Sequence, residues 1–264
     1  MICPCRSPLA GSCTPDNHAL AHCLSLLPRS SAMSHSVSPV GILRSCFKEK
    51  FAIPRQPQLA PAARGVLELL PPFDGGEAVA GLEQVSHVWL LFLFHQALED
   101  TPRLKVRPPR LGGNRALGVF ATRATHRPNG IGQSVVRLDR VEAGRLHLSG
   151  IDLLDGTPVL DIKPYVPYAD SLPAACNAIA DAPPPAIRVD WAATALLQAG
   201  EQALRLGEPV VELIEQCLAQ DPRPAYQIPT PERRYGVRFW DLQVRWHYPE
   251  AGQIRVLEVV REAS

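Results

Sequence analysis

The stretch VWLLFLFH (residues 88–95) is an unbroken apolar run that ends at a histidine. Continuous hydrophobicity over this length is typical of a β-strand covered on both faces, whereas a half-exposed strand would alternate. The run is much shorter than the roughly 20 apolar residues that a membrane-spanning helix needs. It therefore predicts a buried strand in the core of a folded domain, and we expect a soluble protein.

Further short strands are predicted on both sides of this run. They are rich in Val, Leu and Ile, and turn sequences such as PPFDGG and RPNGIG separate them. In this part of the chain, GGEAVAGLEQ (75–84) alone has the pattern of a short helix. Many short strands favour a closed barrel or a sandwich over a doubly wound sheet. The other predicted strands are SVSPVGILRS (36–45), RGVLELL (64–70), LGVFATR (117–123), SVVRLDRV (134–141) and RLHLSGIDL (145–153).

The C-terminal part of the chain has a different organisation. The proline-rich ADAPPPAIR (180–188) is typical of a linker, and apolar residues recur at helical spacing in 191–206 and 208–220. Residues 235–248 and 253–260 alternate around a turn, which predicts a β-hairpin. The predicted fold is therefore mainly β, with a β-rich domain over residues 33–170 and a small α+β domain over residues 186–264.

Residues 1–32 fit neither domain. Prolines, histidines and Asp16 interrupt any signal-peptide core, and Met33 stands close to the first predicted strand. We therefore expect a disordered extension or a misplaced start codon. Four of the seven cysteines lie in this segment and the others are isolated, without the spacing of a disulfide framework or a zinc site. We expect no metal.

Basic residues are concentrated in one segment, although the net charge of the chain is only +1. Residues 101–138 contain eight Lys and Arg residues and no Asp or Glu. Arginine binds phosphates and carboxylates bidentately, and turns leave backbone N–H groups free to face an anion. The segment favours an anionic or nucleic-acid ligand, with a solvated basic surface as the simpler alternative. Neither a Rossmann cofactor motif nor a P-loop motif is present.

Acidic side chains gather in IDLLDGTPVLDIKPY (residues 151–165). Asp152 and Asp155 precede a Gly-Thr-Pro turn, where Asp155 could equally cap its own backbone. Asp161 and Lys163 share one face of a predicted short strand, and Tyr165 follows them. These side chains are candidates for a polar site beside the basic segment.

Taken together, the motifs of the chain resemble those of the TsaA/TrmO family. Members of this family are S-adenosylmethionine-dependent tRNA methyltransferases that modify N6 of threonylcarbamoyladenosine at tRNA position 37. The resemblance implies a non-Rossmann β-barrel methyltransferase domain and a cytoplasmic homodimer that acts on the anticodon loop of tRNA. It is carried by PRQP (54–57), LEQVSHVWLLFLFHQ (82–96), VRPPRLGGN (106–114), GVFATR (118–123), RPNGIG (127–132), DGTPVLDIKPY (155–165) and QDPRPAY (220–226).

The resemblance also implies roles for residues at the matching positions. Independently of the resemblance, the chemistry of methyl transfer makes Asp161 a hypothetical base and Tyr165 a hypothetical positioning group. The expected contacts to tRNA are Arg107, Arg110, Arg115, Arg127, Arg223 and Tyr226. The expected S-adenosylmethionine site consists of Pro54, Arg55, Gln56, His95, Gln96, Arg123, Gln133, Asp152, Leu153, Leu154 and Asp155.

Gly130 departs from the family pattern, which has proline at this position. A glycine leaves the unfolded loop freer by about 0.4–1 kcal/mol if the native φ suits proline. We therefore expect the loop to keep its shape but to be less stiff.

Two other functions remain open on these residues. One is a non-catalytic RNA-binding barrel, in which the arginines serve backbone contacts alone. The other is a methyltransferase whose acceptor is a small molecule or another RNA. The PRQ, HQ and DLLD motifs favour a methyl-donor pocket, which an RNA-only module would not need.

Overall fold

The structure is a computed structural model that describes residues 35–101, 103–108, 116–223 and 227–262. The predicted extension 1–32 lies outside the described residues. No helix among these described residues is long and apolar enough to cross a membrane. The first eight strands are β1 Gly41–Ser45, β2 Arg64–Leu69, β3 His87–Leu93, β4 Lys105–Val106, β5 Leu117–Gly118, β6 Ile131–Glu142, β7 Arg145–Ser149 and β8 Thr157–Pro164.

Six of these strands close into a barrel in the order β1-β2-β7-β6-β3-β8, while β4 and β5 form a separate two-stranded ribbon. All six pairs of adjacent strands are antiparallel, and β3 lies between β6 and β8. Closure leaves no free edge in the barrel, which explains how many short strands form one stable sheet. Of the two architectures that the sequence left open, the barrel is therefore confirmed.

The strand β3 has an inner and an outer face. Val88, Leu90 and Phe92 are buried, whereas Trp89 and Leu91 between them are half-buried on the outside of the barrel. The expectation that VWLLFLFH is covered on both faces is therefore met on the inner face only. Within one chain, the outer face of β3 remains partly open.

The C-terminal domain is a four-stranded sheet, in the order β10-β11-β12-β9, with two helices. A short α1, Pro167–Asp170, precedes it. Its elements are β9 Arg188–Trp191, α2 Ala193–Leu206, α3 Val210–Leu218, β10 Arg234–Phe239, β11 Leu242–Glu250 and β12 Gln253–Arg261. The strand β9 pairs parallel with β12. The mainly β class with a small α+β C-terminal domain is thus confirmed.

Four local predictions differ from the structure. LGVFATR is a strand only at Leu117–Gly118 and continues as a 3₁₀ turn, Val119–Ala121. GGEAVAGLEQ forms two short 3₁₀ turns, Glu77–Val79 and Leu82–Gln84, because its glycines prevent a continuous helix. Residues 235–248 do not form one strand, since a turn at Trp240, with φ of 51°, separates β10 from β11. The strand β9 begins inside the segment that the sequence suggested to be a linker.

The two domains share one hydrophobic core. Phe47, just after β1, pairs with Phe239 of β10, and both side chains are fully buried. The ring of Phe51 stacks on that of Trp246 at 5.9 Å. Trp240 N donates a hydrogen bond to the carbonyl oxygen of Cys46 at 2.8 Å. The segment from 46 to 62 therefore runs along the junction between barrel and C-terminal domain.

Candidate active site

A cavity of about 710 Å³ opens where the RPNGIG loop meets the barrel. Four separate parts of the barrel domain meet there: residues 50–56, the end of β3, the segment 120–134 and the segment 152–157. Every residue expected in the S-adenosylmethionine site lines this cavity except Asp155. The motifs are therefore distant in sequence but adjacent in the fold.

Asp152 is the central polar group of the cavity. Ser134 Oγ, on the inner face of β6, donates a hydrogen bond to Asp152 Oδ1 at 2.7 Å. Burial raises the pKa of the Asp152 carboxyl to about 6, although the Ser134 hydrogen bond and the charge of Arg123 both act in the opposite direction. A carboxyl with this pKa changes its charge close to neutral pH, which is common at functional sites.

Arg123 and Gln56 connect two walls of the cavity. Arg123 Nη1 donates a hydrogen bond to Gln56 Oε1 at 2.5 Å. Thr122 shapes the loop around Arg123, because its hydroxyl donates to Val119 O at 2.9 Å and accepts from Ala124 N at 3.3 Å. Arg127 Nη1 donates to Thr122 O at 3.2 Å. Arg127 thus braces the loop.

Two glycines allow the RPNGIG loop to approach the barrel. Gly130 has a φ of +59°, and a Cβ atom there would overlap the side chain of Leu98. Its N–H donates to Arg127 O at 3.0 Å. Proline has neither this φ nor an N–H group, so Gly130 is not a simple replacement for the family proline. At Gly132, a Cβ would lie 2.5 Å from the ring of Phe92.

Lys50 and Thr122 line the cavity but were not predicted. Lys50 Nζ donates to the carbonyl oxygen of Gln96 at 2.5 Å and so supports the segment that carries His95 and Gln96. Nothing in CFKEKF distinguishes Lys50 from a surface lysine. Thr122 stands within the quoted motif GVFATR, but its role depends on a loop shape that the sequence does not reveal.

Asp155 lies beside the cavity without lining it. Its carboxylate accepts hydrogen bonds from Ser45 N at 2.8 Å and from Lys48 Nζ at 2.7 Å. It therefore ties the 152–157 turn to the end of β1. From the Asp-Gly turn we would instead expect the carboxylate to cap its own backbone. The expected contact of Asp155 with the cofactor stays a prediction.

Asp161 and Tyr165 also lie away from the cavity. Asp161 is opposite Leu91 in the β3–β8 register and forms an ion pair with Lys163 at 2.6 Å. The ring of Tyr165 packs at 6.1 Å from that of Trp89. Neither residue lines the cavity, so their hypothetical catalytic roles gain no support from the geometry.

The residues expected to contact tRNA divide into four groups. Arg107 is exposed, whereas Arg110, Arg115 and Tyr226 lie outside the described residues. Arg127 is the brace described above. The side chain of Arg223 is only 16% exposed and forms an ion pair with Asp221 at 3.0 Å, and its guanidinium lies 5.2 Å from the ring centre of Tyr248. Arg223 thus makes contacts within the C-terminal domain, and little of its side chain is open to RNA.

No group of three or more His, Cys, Asp or Glu side chains suited to a metal ion occurs in the described part of the chain. The cavity is lined by one half-buried carboxylate, three arginines, one lysine, amide side chains and apolar surface. Such a lining suits an organic ligand that carries charges of both signs.

Several known proteins share this fold and sequence. A crystal structure of TrmO from Pseudomonas aeruginosa matches with a TM-score of 0.77 and 68% identity, covering 88% of this chain and 99% of that one. A P. aeruginosa protein provisionally named the S-adenosylmethionine-dependent methyltransferase RcsF is 78% identical over 227 residues, which is 86% of this chain and 98% of its own length.

An Escherichia coli protein named tRNA (adenine(37)-N6)-methyltransferase is 46% identical over 227 residues, covering 83% of this chain and 95% of its own length. Models of the tRNA-methyltransferase O N-terminal domain and of the TrmO C-terminal domain match residues 42–171 and 184–262. On both domains, the chain belongs to the tRNA-methyltransferase O family.

Proposed function

We propose that the chain is an S-adenosylmethionine-dependent tRNA methyltransferase that methylates N6 of adenosine 37, in the form of threonylcarbamoyladenosine. The observation that carries this proposal is the cavity in which distant motifs meet around the half-buried carboxylate of Asp152. The relatives named as tRNA (adenine(37)-N6)-methyltransferases, in E. coli and in human, support the same reaction.

The cavity suits the methyl donor in size and in charge. Its volume of about 710 Å³ is in the range of pockets that enclose organic cofactors. S-adenosylmethionine has cationic sulfonium and ammonium groups and an anionic carboxylate. Asp152 is available for a cationic group and Arg123 for the anionic one, while Ile53 and Phe120 supply apolar surface for the adenine.

S-adenosylmethionine supplies a methyl group on a positively charged sulfur, so the leaving group is already activated. The contribution of the protein is then to hold the acceptor nitrogen in line and to keep water away. The braced loop around Arg123 and the hydrogen bond from Arg123 to Gln56 fix two walls of the cavity for this purpose.

The acceptor nitrogen belongs to a urea-like group and loses a proton during methylation. Asp152 is the sole carboxylic acid among the described residues that line the cavity. Its pKa of about 6 suits a group that accepts a proton near neutral pH. We therefore assign the role of base to Asp152 in preference to Asp161, which lies outside the cavity.

Arginines of the basic segment, residues 101–138, would contact the anticodon loop. Arg107 is exposed within this segment, and Arg110 and Arg115 follow it in the sequence. Phosphate contacts of this kind orient the RNA without reading its sequence. The cytoplasmic location belongs to this proposal as well, since it rests on tRNA as the acceptor.

We further propose a homodimer that forms through the outer face of β3 and β6. Trp89, Leu91, Leu93 and Val135 are half-buried there, and Ile131 is 41% exposed. Contiguous apolar surface of this kind is typical of a protein interface. Leu93 and Ile131 also line the cavity, so a second copy would lie against its rim.

The division into domains at 33–170 and 186–264 is kept as part of the same proposal.

The proposed reaction is tested by incubating the purified protein with S-adenosylmethionine and tRNA that carries threonylcarbamoyladenosine. We expect nucleoside mass spectrometry to show a gain of one methyl group on that nucleoside. The same tRNA without the threonylcarbamoyl group is the control, and its equal methylation would contradict the proposed acceptor.

The two alternative functions give different results in the same system. A non-catalytic RNA-binding barrel would show no change of Tm at saturating S-adenosylmethionine, whereas a donor site raises the Tm. A small-molecule methyltransferase would bind the donor but leave every tRNA unchanged.

A further inference from the structure

One wall of the cavity is attached to the C-terminal domain. Pro54, Arg55 and Gln56 line the cavity, and the chain then forms a 3₁₀ turn, Pro57–Leu59, before it reaches Ala62. We call residues 54–62 the wall segment. No strand of the described part of the chain pairs with it, so its position depends on side-chain hydrogen bonds and on packing.

Gln220, just beyond α3, holds the near end of the wall segment. It is buried, with 8% exposure, and its Oε1 accepts a hydrogen bond from Arg55 N at 3.3 Å. Its Nε2 donates to Leu59 O at 3.4 Å and to Gln216 O at 3.0 Å. One amide side chain of the C-terminal domain therefore spans the turn from Arg55 to Leu59.

Gln216, one helical turn earlier on α3, holds the far end. Its Oε1 accepts a hydrogen bond from Ala62 N at 2.9 Å. On the opposite side, Gln56 receives the hydrogen bond from Arg123. The wall segment is thus connected to α3 on one side and, through Arg123, to the surroundings of Asp152 on the other.

We infer that Gln220 and Gln216 are positioning residues for the methyl-donor cavity, so that the C-terminal domain shapes a site whose lining comes from the barrel domain. This inference rests on the proposed function. Loss of the Gln220 amide would free Arg55 N and Leu59 O, which would seek water and displace the wall segment. Gln56 would then no longer meet Arg123 in a fixed position.

The test uses the full chain with Gln220→Met, which keeps the side-chain volume but removes the hydrogen bonds, and with Gln216→Met as a second variant. The control is Gln198→Met. Gln198 Oε1 accepts from Val259 N at 3.0 Å, an equivalent side-chain contact within the C-terminal domain and away from the cavity.

We expect Gln220→Met to weaken S-adenosylmethionine and S-adenosylhomocysteine binding by about 3–10-fold in calorimetry, the loss expected for a hydrogen bond. The KM for S-adenosylmethionine should rise by a similar factor, with a smaller change in kcat. In the ligand-free protein, amide hydrogen exchange within residues 54–62 should become faster. Gln216→Met should show the same pattern more weakly. Gln198→Met should change neither the donor affinity nor the amide exchange of residues 54–62.

Two results would overturn the inference. If Gln220→Met lowers the Tm as Gln198→Met does and leaves donor affinity and exchange at 54–62 unchanged, the glutamines serve only to join the domains. If the wild-type protein binds no S-adenosylmethionine, the proposed function fails, and the inference fails with it. If the wild-type protein binds S-adenosylmethionine and the substitutions do not weaken that binding, the proposed function stands and only the inference fails.

Discussion

At the scale of single residues, Asp152 combines a cost to the fold with a functional role. Its pKa in the folded protein, raised to about 6 chiefly by burial, lies above that of an exposed aspartate. The side chain therefore stabilises the fold fully when it is protonated, and this contribution is lost as the pH rises through about 6. Buried functional groups commonly carry such a cost.

The first prediction follows from this loss of stability at higher pH. Asp152→Asn should stabilise the ligand-free protein at pH 7.5 by roughly 1–3 kcal/mol, and the gain should vanish below about pH 4. The same substitution should weaken S-adenosylmethionine binding by about 10–100-fold, because a charged partner is lost. Thermal unfolding at both pH values and calorimetry measure the two effects. A lower Tm at pH 7.5 would show that the carboxylate is not held at a cost.

The second prediction concerns the pH dependence of methylation. If Asp152 acts in its ionised form, kcat/KM should fall as the pH drops through about 6, the pKa of its carboxyl. In Asp152→Asn, the residual activity should lack this inflection. An inflection that survives the substitution would assign it to a different group.

The third prediction concerns Gly130. Gly130→Ala should lower the free energy of unfolding by about 1–2 kcal/mol, since an L-residue is strained at positive φ. Gly130→Pro should lower it further, because the hydrogen bond to Arg127 O is also lost. The control is Gly118→Ala, where no atom lies within 4 Å of the added Cβ. Denaturant unfolding measures all three, and a Gly130→Pro variant as stable as wild type would contradict the observed turn.

The sequence identifies cavity residues that lie in a recognisable motif. It does not identify residues that reach the cavity region only through long-range contacts in the fold. His95, Arg123 and Asp152 were found because the family motifs contain them, and they do line the cavity. Gln220 was quoted within QDPRPAY, but its contact with Arg55 joins residues that are 165 positions apart. Asp161 was chosen for its residue type, and strand register places it on the outer side of the barrel.

At the scale of elements, the same contrast separates correct from missed predictions. Strands with strong alternation, such as β7, were found because period-two hydrophobicity reports one buried face. The strand β9 was missed because its pairing is parallel, with a partner more than 60 residues later, and follows a run of prolines. The turn at Trp240 was missed because it uses a positive φ without glycine or asparagine.

The fourth prediction belongs to the loop around Arg123. Thr122→Val keeps the shape of the side chain but removes the hydroxyl that binds Val119 O and Ala124 N. We expect S-adenosylmethionine affinity to fall by about 3–10-fold, with a small change in Tm, because the loop but not the core loses a contact. Exposed Thr230 provides the control Thr230→Val. Unchanged donor affinity would show that Arg123 is held without the hydroxyl.

At the scale of the whole molecule, the open outer face of β3 and β6 links the proposed dimer to the cavity. Leu91 is half-buried on this face and stands opposite Gln133 in the strand register, while Gln133 lines the cavity. A partner subunit over this face would therefore exclude water from both the apolar strands and the rim of the donor site.

The fifth prediction tests this arrangement with Leu91→Glu. A buried carboxylate at an apolar interface is costly, so the variant should elute as a monomer in light scattering coupled to gel filtration, whereas wild type should be a dimer. Leu91 stands opposite Gln133, which lines the cavity, so the mass of the variant, and not its donor affinity, decides the outcome. The control is Leu197→Glu on α2, whose side chain is 69% exposed and should leave the mass unchanged. A dimeric Leu91→Glu would move the interface to another face of the molecule.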